Sequence, residues 1–233
     1  MSETKNQSPS DFEDLPEPAG REQLPAAGKR APGHGAFAPG LPGKVGLAIS
    51  RRLPANRTGL KLAGIARPLA LTGLTEGACD VEALGLKLRL HPKDNLSEKR
   101  LFMTPQCFDP DELAALGAVM GPGKVFIDIG ANAGAYALFA ARAGGPRARV
   151  IAVEPQREMR ARMRFNAEAN GLTNLEISGV ALADYEGESV MRLVGENKGR
   201  AALETAKGGA GEAVRVTTLK SLLDEHHVDR LDA

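Results

Sequence analysis

The stretch from Val125 to Ala141, VFIDIGANAGAYALFAA, constrains the fold of this 233-residue chain more than any other. It opens like a buried strand, apolar except for Asp128, and then breaks into a loop of small residues. A helix is predicted over Ala135–Ala143 and a second strand over Val150–Val153. Strands that alternate with helices in this way predict an α/β fold, with a parallel sheet covered by helices on both faces.

Further elements are predicted on both sides of this unit. Downstream, the patterns indicate a helix over Arg157–Asn170, strands over Leu175–Val180, Ser189–Val194 and Val214–Thr217, and a short helix over Thr218–His226. Upstream, VEALGLKLRL alternates as a half-buried strand in which Gly85 marks a bulge or a turn. FDPDELAALGAVMGPG carries helix signals, with Asp109 as N-cap and Gly121 as the stop.

Composition divides the chain into three parts. Residues 1–44 contain seven prolines and six glycines and few large apolar groups, which predicts a disordered tail. Residues 45–124 are expected to form a helical and β-hairpin extension, and residues 125–233 the main α/β domain. Between Lys44 and Arg67 there are six basic residues and no acid, a pattern that could dock on an anionic surface. Short solvated turns or helices are the favoured interpretation, because glycine and proline interrupt this segment.

Charge and cysteine content exclude several classes of function. The formal net charge is +1, so nothing global predicts binding to nucleic acid. The two cysteines, Cys79 and Cys107, are far apart and lack histidines at metal spacing, so we expect no disulfide framework and no metal site. The N-terminus has no apolar core of a signal peptide, and no run of 18 apolar residues occurs, which predicts a cytoplasmic protein without a transmembrane segment.

The turn after the first strand of such a sheet lies at the edge where ligands bind. Gly130 and Gly134 let the backbone approach a ligand, and free N–H groups at the following helix favour an anionic group. Asp128 can accept hydrogen bonds from the loop or from a cationic ligand group, so an amino-acid moiety satisfies both features. Glu154, 26 positions after Asp128, ends the second strand, where a carboxylate can bind both hydroxyls of a ribose.

Nicotinamide enzymes also place an acid at that position, so the loop must distinguish the two cofactors. In the register of their G-x-G-x-x-G fingerprint this chain offers Gly130, Asn132 and Ala135, which is one glycine of three. An acid two residues before the first glycine, with a second glycine four residues after it, is instead the usual motif of S-adenosylmethionine-dependent methyltransferases. A nicotinamide oxidoreductase is therefore the less favoured alternative.

DIGANAGAYAL, followed by VIAVEPQREMRARMRFNAEANGLTNLEISGVALAD, resembles the FkbM family of S-adenosylmethionine-dependent methyltransferases. The resemblance runs from about Val81 to the end of the chain. It implies a Rossmann-like class I methyltransferase fold with a doubly wound, mostly parallel sheet. It also implies that S-adenosyl-L-methionine is the cofactor and that the acceptor is a hydroxyl of a sugar, a glycan or another small metabolite.

The same resemblance assigns residues to the cofactor. Asp128, Gly130, Asn132 and Gly134 would surround its methionine part, Glu154 would hold its ribose, and Ala181 would lie beside the adenine. Asn166 and Asn170 also match the family pattern; helix capping and a polar surface are their alternative roles.

The catalytic residue is not assigned by the sequence. Each of the four histidines, His34, His91, His226 and His227, is expected to be solvated or structural. In the FkbM family, the position that matches the final HHVDRLDA is followed by a strand with the pattern Lys-Ile-Asp-x-Glu-Gly. We therefore expect a fold that is incomplete at the C-terminus, in a truncated enzyme or in a remnant that binds the cofactor without turnover.

Overall fold

The structure, a computed structural model, describes residues 32–193, 201–204 and 211–233. The first 31 residues of the predicted tail lie outside this range. So do Asn197, Gly199 and Arg200 of the polar segment GENKGR, for which the sequence favours a simple connecting loop over a substrate or lid loop. No helix in the described ranges combines the length and the apolar character needed to cross a bilayer.

Seven α-helices and nine strands are present in the described residues. The helices are α1 (Leu41–Arg51), α2 (Arg57–Ala70), α3 (Leu96–Met103), α4 (Pro110–Val119), α5 (Ala135–Gly144), α6 (Arg157–Ala169) and α7 (Leu219–Glu225). The strands are β1 (Cys79–Ala83), β2 (Leu86–Leu90), β3 (Val125–Ile129), β4 (Arg149–Val153), β5 (Leu175–Ser178), β6 (Ala181–Leu182), β7 (Gly187–Leu193), β8 (Ala201–Glu204) and β9 (Glu212–Thr217).

Helices α1 and α2 pack against each other as a helical hairpin. Their contact is close: a Cβ atom at Gly46 would lie 2.4 Å from the backbone nitrogen of Ala70, so only glycine fits there. Asn56 begins α2, and its side-chain oxygen accepts a 2.9 Å hydrogen bond from the N–H of Gly59. The glycines and prolines of this segment therefore do not prevent two helices of 11 and 14 residues from forming.

The predicted strand around VEALGLKLRL is a β-hairpin of two strands. β1 and β2 pair antiparallel with Ala83 opposite Leu86, so Leu84 and Gly85 form a two-residue connection. Both have positive φ, 53° and 72°, as the tight turns of such hairpins require. Gly85 thus marks a turn, one of the two roles that the sequence left open.

Residues 32–44 differ from the predicted disordered tail. The Asp80 carboxylate accepts hydrogen bonds from the N–H groups of Gly35 and Phe37 at 2.7 and 3.0 Å. Arg89, which forms a buried ion pair with Asp80, stacks on the ring of Phe37 at 4.2 Å and on that of Phe165 at 4.1 Å. A partner buried elsewhere in the chain therefore orders a segment whose own composition favours disorder.

The centre of the protein is a parallel sheet in the order β3-β4-β5. On one face, Val150 and Ala152 of β4 belong to a core cluster with Leu138 of α5 and Met163 of α6. On the other face, a second cluster joins Ile151 and Val153 to Leu222 of α7. The predicted α/β, Rossmann-like fold is confirmed, with helices covering both faces of the sheet.

The remaining strands form a separate, mixed sheet in the order β6-β9-β7-β8. This second sheet differs from the single, mostly parallel sheet that the family resemblance implies. β7 follows β6 after only four residues, too few for the crossover that a parallel neighbour requires, and it pairs antiparallel with β8 and β9.

The side of β3 that faces away from β4 exchanges two backbone hydrogen bonds with residues 232 and 233. The N–H of Asp232 donates to the carbonyl oxygen of Val125 at 2.9 Å, and the N–H of Ile127 donates to that of Ala233 at 3.1 Å. The Asp232 carboxylate also accepts from Lys124 Nζ at 2.9 Å, which lowers the pKa of that carboxyl to about 2.

Candidate functional site

The loop after β3 folds tightly over the end of the sheet. Gly130, Asn132 and Gly134 have positive φ values of 76°, 53° and 87°. The N–H groups of Gly130 and Ala131 both donate to the carbonyl oxygen of Val153, at 2.9 and 3.1 Å. The end of β4 therefore fixes the position of the loop.

The two glycines of this loop are required for different reasons. A Cβ atom at Gly134 would lie 2.4 Å from Cγ of Met163, so this glycine permits the close packing of α5 on α6. Among the described residues, no atom lies within 4 Å of the position that a Cβ atom at Gly130 would occupy. Gly130 therefore borders open space where a ligand can approach the backbone, whereas Gly134 faces the protein interior.

Asp128 lies at the end of β3, beside the first turn of α5. Its Oδ2 accepts a 3.0 Å hydrogen bond from the N–H of Ala137. Burial raises the pKa of this carboxyl to about 6, and the charge of Glu154 adds to the increase. Within the described part of the chain its other oxygen, Oδ1, accepts no hydrogen bond and is available to a donor.

Glu154 connects the loop to the end of β4. Its Oε2 accepts a 2.8 Å hydrogen bond from the N–H of Asn132, and its Oε1 accepts one of 2.8 Å from the N–H of Gln156. The residue is 7% exposed, and burial raises the pKa of the carboxyl. A carboxylate has about four acceptor sites, so two backbone donors leave room for two hydroxyl groups.

Asn95 is part of this network, although the sequence did not single it out. Its Nδ2 donates to Oδ1 of Asn132 at 2.7 Å, and that oxygen also accepts from the N–H of Ala133 at 2.8 Å. Asn95 is buried and caps α3 through the N–H of Glu98. Asn-x-x-Glu is a helix-start signal, so the sequence could have indicated the cap, but not its contact with the loop.

Ala181 lies in β6, which begins three residues after the end of β5 in the sequence. It pairs with Val216 of β9 and is 4% exposed, in a small core cluster of the second sheet. Its buried side chain leaves little surface for a ligand, so any contact with an adenine would involve mainly its backbone.

Asn166 and Asn170 of the α6 region hold the free edge of β2. Asn166 accepts from the N–H of Arg89 at 2.7 Å and donates to its carbonyl oxygen at 3.3 Å. Asn170 bonds both backbone groups of Lys87 in the same way, at 2.9 and 2.7 Å. Both amides therefore act as substitutes for a neighbouring strand. Asn170 is also the C-cap of α6, where its Nδ2 donates to the carbonyl oxygen of Asn166 at 2.7 Å, so the alternative role of helix capping is confirmed for Asn170 but not for Asn166.

The ionisable groups near the loop are largely committed to ion pairs. Arg162 of α6 bonds Glu98, Asp94 and Glu158, and the Nδ1 atom of His91 lies 3.4 Å from Glu98. His226 lies 3.0 Å from Glu176 near the start of β5, at the other end of the sheet from the loop. Within the described residues no group of three or more metal-ligating side chains occurs.

Two comparisons with protein sequences each match a part of the chain. A family model described as the Vibrio cholerae RfbT protein matches residues 120–214. The AMB antimetabolite synthetase AmbE of Pseudomonas aeruginosa is 34% identical over 94 residues, which are 40% of this chain and 4% of that protein. The chain thus spans only a small fraction of this curated relative.

Solved structures of methyltransferases are similar to parts of the chain. A SAM-dependent methyltransferase from Agrobacterium tumefaciens is 17% identical with a TM-score of 0.36, covering 46% of this chain and 34% of that one. A second, from Aquifex aeolicus, is 26% identical with a TM-score of 0.26, covering 29% and 36%. Trm5b from Pyrococcus abyssi is 18% identical with a TM-score of 0.35, covering 46% and 30%. These TM-scores are low. The α/β fold is shown instead by the strand order β3-β4-β5 and by the helices that connect these parallel strands.

Proposed function

We propose that this chain binds S-adenosyl-L-methionine and acts as a methyltransferase of the FkbM type. The observation that carries the proposal is the hydrogen-bonded unit formed by the loop after β3 and Glu154. It places an acid with free acceptor sites and a backbone with an open approach at the same edge of a parallel sheet.

The described residues fit the chemical groups of this cofactor. Asp128 Oδ1 is available to the cationic amino group, and Glu154 has acceptor sites for two ribose hydroxyls. Gly130 borders open space, so the methionine part can lie against the backbone. Ala181 remains the proposed neighbour of the adenine, through its backbone.

When bound, the cofactor supplies an electrophilic methyl group on a sulfonium. The protein then has two tasks: to align the acceptor oxygen with that methyl group and to remove the hydroxyl proton. For the first task, the loop that would hold the methyl donor is fixed in place by its hydrogen bonds to β4, Glu154 and Asn95.

We propose a hydroxyl of a sugar, a glycan or another small metabolite as the acceptor. The support is the resemblance of DIGANAGAYAL and the VEP strand end to the FkbM family, together with a net charge of +1. A protein that acts on nucleic acid is expected to have a more basic surface, because phosphate contacts dominate that binding.

Calorimetric titration of the chain with S-adenosylhomocysteine and, separately, with NAD tests the cofactor. The proposal predicts saturable binding of S-adenosylhomocysteine and none of NAD. Binding of NAD alone would exclude a methyltransferase and favour the nicotinamide alternative.

A module that binds the cofactor without turnover is the second candidate. The observation that favours it is that His226 contacts Glu176 near the start of β5, whereas the loop is bonded to the end of β4, so this histidine lies at the other end of the sheet from the proposed cofactor site. Transfer of a labelled methyl group to any member of a panel of sugars and glycans would exclude this candidate. Cofactor binding without transfer to any acceptor would support it.

A further inference from the structure

The outer surfaces of helices α1 and α2 are unusually apolar. Small residues such as Gly46 and Ala70 form their buried sides, and large aliphatic side chains point away from the protein. Of the twelve large apolar residues that are strongly exposed in the described chain, seven lie in these helices: Leu41, Val45, Ile49, Leu60, Leu62, Ile65 and Leu69. Leu41 and Ile65 are 76% and 77% exposed, more than any other residue in this set.

The same hairpin carries only positive charge. Residues 32–75 include six arginines and lysines and no aspartate or glutamate. One of the six, Arg51, is bound to the carbonyl oxygens of Phe102 and Glu82. The other five are exposed: Lys44, Arg52, Arg57, Lys61 and Arg67.

A cleft between α2 and α3 combines both properties. Its volume is about 200 Å³, and its lining includes Leu60 and Met103 beside the basic groups of Arg67 and Lys99. Apolar and cationic side chains therefore line the same cleft. Such a lining is suited to a molecule with an anionic head and an aliphatic chain.

We propose that the α1–α2 hairpin docks on an anionic lipid surface. An 11-residue helix is about 16 Å long, so α1 can lie in the interface but cannot span a bilayer. Exposed aliphatic side chains would enter the boundary between headgroups and acyl chains, and the basic residues would bind lipid phosphates.

Two features favour a lipid surface over a nucleic acid. The segment from Leu41 to Leu71 contains no phenylalanine, tyrosine or tryptophan, so it has no ring on which a base could stack. Seven exposed aliphatic side chains would gain nothing from a phosphate backbone, whereas burial in lipid removes them from water.

Co-sedimentation of the full chain with vesicles tests the proposal. Vesicles of phosphatidylcholine alone are compared with vesicles that also contain phosphatidylglycerol, at low and high salt. We expect binding to the mixed vesicles only, and weaker binding at high salt. Lys61→Glu should reduce the partition coefficient by at least about fivefold, and Ile65→Ser by about tenfold.

Matched controls lie on other helices and strand connections. Arg147→Glu reverses an exposed charge far along the sequence from the hairpin, and Val119→Ser removes a partly exposed aliphatic group at the end of α4. Both should bind vesicles as the unchanged chain does. Thermal melts followed by circular dichroism establish that every variant is folded.

Three results would show the proposal to be wrong. The first is no binding to the mixed vesicles, and the second is equal loss in the two control variants. The third is binding to single-stranded RNA that is lost in Lys61→Glu but retained in Ile65→Ser, together with no vesicle binding. That pattern would identify the basic surface as a nucleic-acid site.

Discussion

The N–H of Asn132 and the carboxylate of Glu154 are joined by a 2.8 Å hydrogen bond that ties the loop after β3 to the end of β4. Asn132 is held from the other side by Asn95, the first residue before α3. The start of α3 therefore supports the shape of the loop.

Asn95→Ala should weaken the binding of S-adenosylhomocysteine by about fivefold to tenfold, because Asn132 Oδ1 loses its 2.7 Å donor. The variant should also be less stable by about 1 kcal/mol, since α3 loses its cap. Asn56→Ala, which removes the equivalent cap of α2, is the control: it should lower stability to a similar extent and leave the affinity unchanged. Equal affinity losses in both would argue against a specific role of Asn95.

The two loop glycines should respond differently to alanine. Gly134→Ala places a methyl group 2.4 Å from Met163 at a φ of 87°, so we expect a loss of about 2–4 kcal/mol in the free energy of unfolding. In Gly130→Ala the new methyl group borders open space. The free energy of unfolding should fall by only about 1–2 kcal/mol, the cost of holding alanine in a left-handed conformation. The main effect of Gly130→Ala should be on ligand binding. Urea unfolding and calorimetric titration of both variants measure these two quantities.

Asp128 should give the protein a pH-dependent stability. Its pKa is raised in the folded state from 3.8 to about 6, so the folded protein binds more protons than the unfolded chain between these values. The contribution of this group to stability is therefore highest below pH 4, falls as the pH rises to about 6, and is constant above it. Asp128→Asn should remove this dependence and increase stability at pH 7 by an amount on the order of 2 kcal/mol.

The same titration should control the binding of the ligand. An ionised Asp128 attracts the cationic amino group of S-adenosylhomocysteine, so the affinity should increase as the pH rises through about 6. Asp128→Asn should bind more weakly at pH 7 and show no such increase. An affinity that is independent of pH in the unchanged chain would contradict this role.

Asn166→Leu should leave the backbone of Arg89, at the edge of β2, without its side-chain hydrogen-bond partner. The buried N–H of Arg89 would lose its 2.7 Å acceptor, at a cost of about 1–3 kcal/mol. Asn170→Leu should have a smaller effect, because its contact with Lys87 is exposed. Hydrogen exchange of the Arg89 backbone amide, measured in both variants, reports the loss of this hydrogen bond. The exchange rate should increase in Asn166→Leu only.

The local patterns of the sequence predicted the central unit well. α5, β4 and α6 each lie within one residue of their predicted bounds, and β3 occupies the apolar start of the opening stretch. A strand buried on both faces leaves a short, continuous apolar run, and a helix with one apolar side leaves a period of 3.6 residues. Asp109 was also placed correctly at the start of α4. Its side chain, however, does not cap the helix and bonds Arg100 and Tyr136.

Contacts between distant segments were not predictable in the same way. Asn95 meets Asn132 across 37 positions, and Asn166 meets the backbone of Arg89 across 77. A side-chain amide that bonds a distant backbone leaves no period in the sequence. The order of residues 32–44 depends in the same way on Asp80 and Arg89, which lie beyond the segment itself.

The proposed role of Glu154 is tested by combining a substitution with a changed ligand. S-adenosylhomocysteine and its 2′-deoxy analogue are titrated into the unchanged chain, into Glu154→Gln and into the control Glu176→Gln, whose carboxylate bonds Arg149 and His226 instead. If Glu154 holds the ribose, its substitution should weaken S-adenosylhomocysteine by about tenfold or more and the deoxy analogue much less. Equal losses for both ligands, or no binding of S-adenosylhomocysteine to the unchanged chain, would contradict a cofactor site at this loop.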